Sequence, residues 1–187
     1  MGKEDKAPIK FCAGDAKEQA ITSLLQACLF DCTSANLIET PQRVARVFDT
    51  LLSTPKPKLA TFPLEGEPSM ICVKEHTAWS FCPHHLLPVL YTFKIAYVPT
   101  KDVLGLSKLP RLADWAVRDM PLQEDIAPRI AKELKSINPL GVAVLVSGEH
   151  MCMRMRGVES ACATAVTTFM TGIYLREPAA REEFLSL

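Results

Sequence analysis

FCPHHLLPVLYTFKIAYVP, residues 81–99, decides the fold. Within it, Val89 to Val98 concentrates β-branched, aromatic and apolar side chains between breaker residues, the composition of a strand. Met70 to Val73 has the same character on the other side. The two therefore read as neighbouring strands, with the CPHH turn at Cys82 to His85 between them. Downstream, Ser107 opens an apolar-periodic segment through Leu109, Leu112, Trp115 and Ala116, and Leu122, Ile126, Ile130 and Leu134 recur every four residues in the next. These are two consecutive helices, the second distorted by Pro128 unless that residue falls in its first turns. Residues 141–147, 150–155 and 163–175 read as further strands and 178–185 as a short closing helix.

Upstream of the deciding stretch the period is helical. Ile21, Leu24, Leu25, Cys28 and Leu29 form one apolar face between Ala16 and Asp31. Thr40 and Pro41 are a good cap and first-turn pair for a second helix carrying Val44, Val47, Phe48 and Leu51. The proline-rich residues 53–69 read as a loop. Strands, two helices, more strands and helices at both ends make an α+β chain. Its expected organisation is a flexible segment over 1–14 and one domain over 15–187.

A chain of 187 residues, 48% hydrophobic and 22% charged, is large enough to bury a core without disulfide staples. A formal net charge of zero argues against general affinity for nucleic acid or an anionic membrane. MGKEDKAPIKFC lacks an apolar signal core, and no long apolar run follows. A cytoplasmic protein is the expectation. Seven cysteines without a regular framework suit reduced thiols and metal ligation better than disulfides.

The chemistry gathers in two short pieces. CPHH at 82–85 and EHMC at 149–152 hold three of the four histidines. Cys82 and His85 have a spacing that lets one turn present both donors to zinc, and Cys152 can supply a third. Three ligands leave a tetrahedral position open, the mark of a catalytic site. Adjacent histidines diverge in a turn, so with His85 as ligand His84 stands beside the ion to move protons. His150 and Cys152, two apart in the expected strand, would share a face, with His150 as a second proton carrier. The competing reading is a set of ordinary core cysteines and satisfied histidines.

An anion seat is expected at the helix start formed by Ser107, Lys108 and Arg111, where free N–H groups meet a hydroxyl and two cations. Arg154 and Arg156 would lie on the strand face of Cys152. Gln123 and Glu124 stand at the next helix start, where a carboxylate can hold a guanine edge or simply cap the helix.

FCPHHLLP, KIAYVPTKDVLGLSKLPRLADWAVRDMPLQED, GVAVLVSGEHMCMRMRG, REEFL and ETPQRVARVF together closely resemble the GTP cyclohydrolase I family, in order and at similar spacing over roughly residues 17–187. The resemblance implies the tunnelling fold: an antiparallel sheet with two helices on one face, N-terminal helices, and assembly into a toroid, usually a homodecamer with sites where subunits meet. It implies zinc, one ion per subunit, on Cys82, His85 and Cys152, with ferrous iron as the other ion the site could take. It implies proton transfer by His84 and His150, guanine held by Glu124 with Gln123 in the same pocket, and triphosphate received by Ser107, Lys108, Arg111 and Arg156. Arg43 matches a basic position supplied by a neighbouring subunit, whereas Arg154 matches none and is expected to be an exposed strand residue. The implied reaction is hydrolysis of GTP at purine C8, release of formate and rearrangement to 7,8-dihydroneopterin triphosphate, which opens pterin, folate and deazapurine routes.

Three departures stand out. Pro83 replaces the glutamate of CEHH, Arg46 stands where many relatives have lysine, and VESACATAVTTFMTG after Gly157 has less Ser, Thr and Lys than usual. Two alternatives follow from them. One is a related purine-nucleotide hydrolase that stops at a formamide; the other is a noncatalytic purine-binding protein whose zinc is closed by Cys162.

Overall fold

The computed structural model describes residues 15–187, so the segment expected to be flexible, 1–14, lies outside the described residues. The chain divides into two compact units, one ending at Leu51 and one spanning Leu52–Leu187. The first unit holds α1 (Asp15–Ala27) and most of α2 (Thr40–Leu52). Helix α1 stops short of the expected Asp31 because Leu29 adopts a positive φ of 65°, the left-handed geometry that ends helices. In α2, Arg43 N–H donates to Glu39 O, which puts the cap at Glu39, one residue before the expected Thr40. Lys17 and Asp49 form an ion pair between the two helices.

The larger unit is built on β2 (Ile71–Phe81), β3 (Pro88–Val98), β5 (Gly141–His150) and β6 (Ala165–Met170), in the order β2-β3-β5-β6 and antiparallel throughout. A separate two-stranded ribbon pairs β1 (Thr61–Pro63) with β4 (Asp102–Leu104), so part of the expected 53–69 loop is a short strand. Strand β2 runs well past the expected Val73. Alternation fails at Lys74-Glu75, and the structure shows why: Glu75, with φ 61°, is an extra residue in the ladder. A bulge shifts the parity, so that Ile71 and Val73 before it and His76, Ala78 and Ser80 after it face the same side.

That side carries α3 (Lys108–Ala116) and α4 (Gln123–Leu134). Leu109 and Leu112 of α3 and Ile126, Ile130 and Leu134 of α4 are fully buried against Val89, Tyr91, Phe93, Ile95 and Tyr97 of β3 and Val142, Val144 and Val146 of β5. Burying one such side chain stabilises the fold by about 1.5–3 kcal/mol, so this layer fixes the helices on the sheet. Pro128 is the sixth residue of α4, and the helix continues through it. The carbonyl its missing N–H would have met belongs to Glu124, an exposed first-turn residue that water can serve. Ser80 Oγ donates to Val117 O at 2.6 Å, and His76 Nε2 meets Asp114 Oδ1 at 2.8 Å, so α3 lies along β2 with its C-terminal end beside Ser80.

The opposite sheet face is partly covered by the C-terminal helices. The expected strand over 163–175 ends at Met170; Gly172, at φ 58°, turns the chain into α6 (Ile173–Arg176), and α7 (Pro178–Ser186) follows. Tyr174 and Phe184 pack on Ala96, Val98 and Ala143. Lys74 and Lys94 are directly opposed across β2 and β3, an unfavourable pairing. It is relieved because Lys94 Nζ donates to Phe184 O and Leu185 O at 3.3 Å and Lys74 Nζ to Leu187 O at 2.8 Å, where the end of a helix is negative. No described helix is long and apolar enough to cross a membrane.

Candidate metal centre and active site

Strand β2 ends by delivering Cys82 into a tight turn. Cys82 N–H donates to Leu87 O at 2.8 Å, while Cys82 O accepts from His85 N–H at 3.3 Å and Leu86 N–H at 2.8 Å. Pro83 is thus the second residue of a four-residue turn, where a fixed φ is favoured and no N–H is needed. The departure from CEHH leaves these closing bonds intact. Cys82 is buried, whereas Pro83, His84 and His85 are exposed.

Across the sheet, the expected strand over 150–155 does not form. Strand β5 ends at His150 and the chain winds into α5 (Met151–Arg154), with Met155 N–H donating to Met151 O at 3.0 Å. The Met–Arg alternation imitated a strand period, but a helical turn brings Cys152 back over the sheet end. Arg154 is accordingly no exposed strand residue: it pairs with Glu149 at 2.8 Å, with both side chains about a third exposed or less. Arg156 lies in the exposed turn that follows.

The two pieces meet. Cys82 Sγ and Cys152 Sγ are 3.8 Å apart. Two thiolates held at about 2.3 Å by one tetrahedral zinc stand roughly 3.8 Å apart, so the sulfurs are already at ligand spacing. Donor atoms of Cys82, His150 and Cys152 all lie within 4.8 Å of one another. From the turn, His85 Nδ1 comes within 3.7 Å of Cys82 Sγ and His84 Nδ1 within 3.8 Å. Two soft thiolates with imidazoles on two sides form a donor set suited to zinc or ferrous iron. His85, the expected third ligand, is not part of that compact group, in which His150 takes its place, and neither is Cys162, exposed in the loop before β6.

Burial sets the protonation of this group. The Cys152 thiol is pushed up, first by burial and then by Cys82 beside it, with nearby Arg156 opposing. His150 is pulled below its ordinary value by burial, against the charge of Glu124. Gln123, buried in the first turn of α4, joins the cluster: its Oε1 is 2.7 Å from His150 Nε2. Glu124, next to it, is exposed, and its charge acts on His150.

Tyr91 was missed from sequence. Its ring, 1% exposed, meets His150 edge to face with centroids 5.9 Å apart. Burial pushes its phenol up, reinforced by Cys82, Glu124 and Cys152, so it remains protonated on the floor of the site. Nothing in an apolar strand singles out one tyrosine. Only the register does, which sets Tyr91 opposite Gly148.

The residues of the expected anion seat lie elsewhere in the unit. Ser107 and Arg111 are exposed and Lys108 is half-buried at the start of α3, near where Leu104 N–H donates to Tyr97 OH at 2.7 Å. Tyr97 pairs with Ile71, at the other end of β2 from Cys82. Helix α3 rises about 1.5 Å per residue toward Val117, which sits beside Ser80, so Ser107 and Arg111 stand roughly 15 and 9 Å back from that contact. The start of α3 therefore faces away from the thiol end of β2. Arg43 belongs to the other unit, exposed on α2 and paired with Glu39.

Comparison with known proteins identifies the family of the chain. The GTP cyclohydrolase I family profile matches residues 17–187. GTP cyclohydrolase 1 of Acetivibrio thermocellus is 39% identical over 174 residues, covering 90% of this chain and 93% of the relative. The protein of the same name from Leptospira biflexa is 34% identical over 177 residues, covering 91% and 96%. Among solved structures, the apo crystal structure of the archaeosine synthase QueF-Like superposes with a TM-score of 0.48 at 19% identity, over 57% of this chain and 97% of that one. The chain belongs to the GTP cyclohydrolase I family.

Proposed function

We propose that this protein opens the purine of GTP at C8, releases formate and recloses the product to 7,8-dihydroneopterin triphosphate, the entry to pterin and folate-type or deazapurine synthesis. The observation that carries the reading is the pair of sulfurs 3.8 Å apart at the sheet end, with His150 beside both and His84 and His85 near Cys82. Cys82, Cys152 and His85 would hold zinc, one ion per chain, with ferrous iron accepted by the same donors. When bound, the ion supplies Lewis acidity that makes water a competent nucleophile near neutral pH.

The chain's own groups do the rest. His84, exposed on the turn, is free to protonate the purine at N7 and so make C8 more electrophilic; His150, held within the site, carries the second proton transfer. Glu124 accepts the paired N–H donors of the guanine edge. Tyr91 keeps its proton and closes the floor of the site against solvent. The triphosphate goes to Ser107, Lys108, Arg111 and Arg156, with Arg43 adding charge. Ser107 and Lys108 begin α3 at the end away from Ser80, so in this reading a complete site takes that seat from a second copy. This supports a homo-oligomer of tunnelling-fold subunits, a decamer by family precedent, with sites between chains. We place it in the cytoplasm, where its free cysteines stay reduced.

The test is product identity. Metal-replete protein incubated with GTP should yield formate and a dihydropterin triphosphate that fluoresces after oxidation. Unchanged GTP in the presence of stoichiometric bound metal contradicts the proposal.

A further inference from the structure

Gln123 reaches the site through a gap in β5. Gly148 faces the helices, opposite Tyr91 on one side and Ala165 on the other. A β-carbon at Gly148 would stand 2.3 Å from Gln123 Oε1, so the amide occupies space that a side chain there would fill. Gln123 is only 6% exposed, and both of its side-chain N–H bonds are used. Nε2 donates to Ala165 O at 2.7 Å and to Val146 O at 3.3 Å. Reversing the amide would turn its oxygen toward two carbonyl oxygens, so the sheet fixes its orientation. Oε1 can only accept, and His150 Nε2 lies 2.7 Å from it. The proton in that bond belongs to the imidazole.

We infer that Gln123 is a positioning residue that holds His150 as the Nε2-protonated tautomer, with its lone pair on Nδ1, and does not itself hydrogen-bond the nucleotide. Gln123 thereby serves as the orienting third group that catalytic imidazoles commonly have, and it draws its own rigidity from two strands. The same lock serves His150 whether Nδ1 moves a proton or approaches the ion. The inference rests on the proposed function only for the identity of the reaction. The tautomer is a property of the protein without substrate.

Nitrogen-15 spectra of the metal-free full chain at about pH 8, above the ordinary histidine range, read the tautomer directly. His150 is expected to show the Nε2–H pattern, and Gln123→Leu to shift it toward the Nδ1–H form. In the metal-loaded enzyme, Gln123→Leu should lower kcat about 10–100-fold while KM for GTP stays within about threefold. Gln123→Glu keeps an acceptor facing Nε2 but can fit only with its other oxygen protonated toward Ala165 O, so it should keep the Nε2–H pattern while recovering only part of that loss. An Nδ1–H pattern in the unmodified protein overturns the inference, as does an unchanged tautomer in Gln123→Leu. A raised KM at constant kcat would instead make Gln123 a substrate contact. Should Gln123→Leu fail to fold, the unmodified spectrum and Gln123→Glu still decide. An Nε2–H pattern in a protein that leaves GTP intact would uphold the lock and defeat the assigned reaction.

Discussion

Gly148→Ala tests how tightly the site is built. The new β-carbon would sit 2.3 Å from Gln123 Oε1, 3.1 Å from its Cδ and 3.0 Å from His150 Nε2. Ordinary carbon contacts begin near 3.5 Å, so the amide must retreat by roughly 1 Å. Bonds at 2.7 Å to Ala165 O and to His150 do not survive such a shift together. Each buried partner left without a hydrogen bond costs about 1–3 kcal/mol. Gly148 does not have a positive φ, so alanine also gains about 0.4–1 kcal/mol from a less flexible unfolded chain. With both bonds lost, the net expectation is a loss of about 1–5 kcal/mol. Urea unfolding of the metal-free variant measures it, and GTP kinetics of the loaded variant should show kcat falling with it. Stability within about 0.5 kcal/mol of the unmodified protein, together with full activity, would refute the packing argument.

Cys82→Ser or Cys152→Ser should lose bound metal and activity together; metal analysis beside a turnover assay checks this, and retained metal with full activity in either variant removes that ligand from the set. His84→Ala should keep its metal and lose about 10²–10⁴ in kcat, measured at saturating GTP. Pro83→Ala should cost only about 0.4–1 kcal/mol in thermal or urea unfolding, with metal content unchanged, because the turn uses no N–H at that position. Burial holds His150 below its ordinary value, so below that value the unfolded chain binds the proton more readily than the folded one. The stability of the metal-free protein should therefore fall as pH drops below about 6.5, and His150→Asn should flatten that slope in urea titrations.

Much of the fold was legible because its signals are local. Val89 to Val98 announced β3 by composition, and the four-residue recurrence from Leu122 to Leu134 announced α4. The errors fell where a single residue changes the geometry. Glu75 hid the continuity of β2 because a bulge breaks alternation, and Gly172 ended β6 through a positive φ that composition does not advertise. The Met-Arg alternation after Cys152 suggested a strand, but over so few residues tertiary packing decides, and the chain forms a helical turn instead. At the site, thiols and imidazoles could be read from residue type and spacing. Tyr91 and Gly148 could not, because their importance arises only when β3 and β5 are paired in register. The separation of Ser107 to Arg111 from Cys82 was also invisible until the direction of α3 along β2 was known.

The most direct test of the central claim follows one atom. GTP carrying an isotopic label at C8 should surrender that label as formate, one equivalent for each dihydropterin triphosphate formed by the metal-loaded protein. Label retained in a formamide-bearing nucleotide would show an enzyme that stops early. Label retained in intact GTP, with the metal bound, would show that the site at Cys82 and Cys152 does not perform this chemistry.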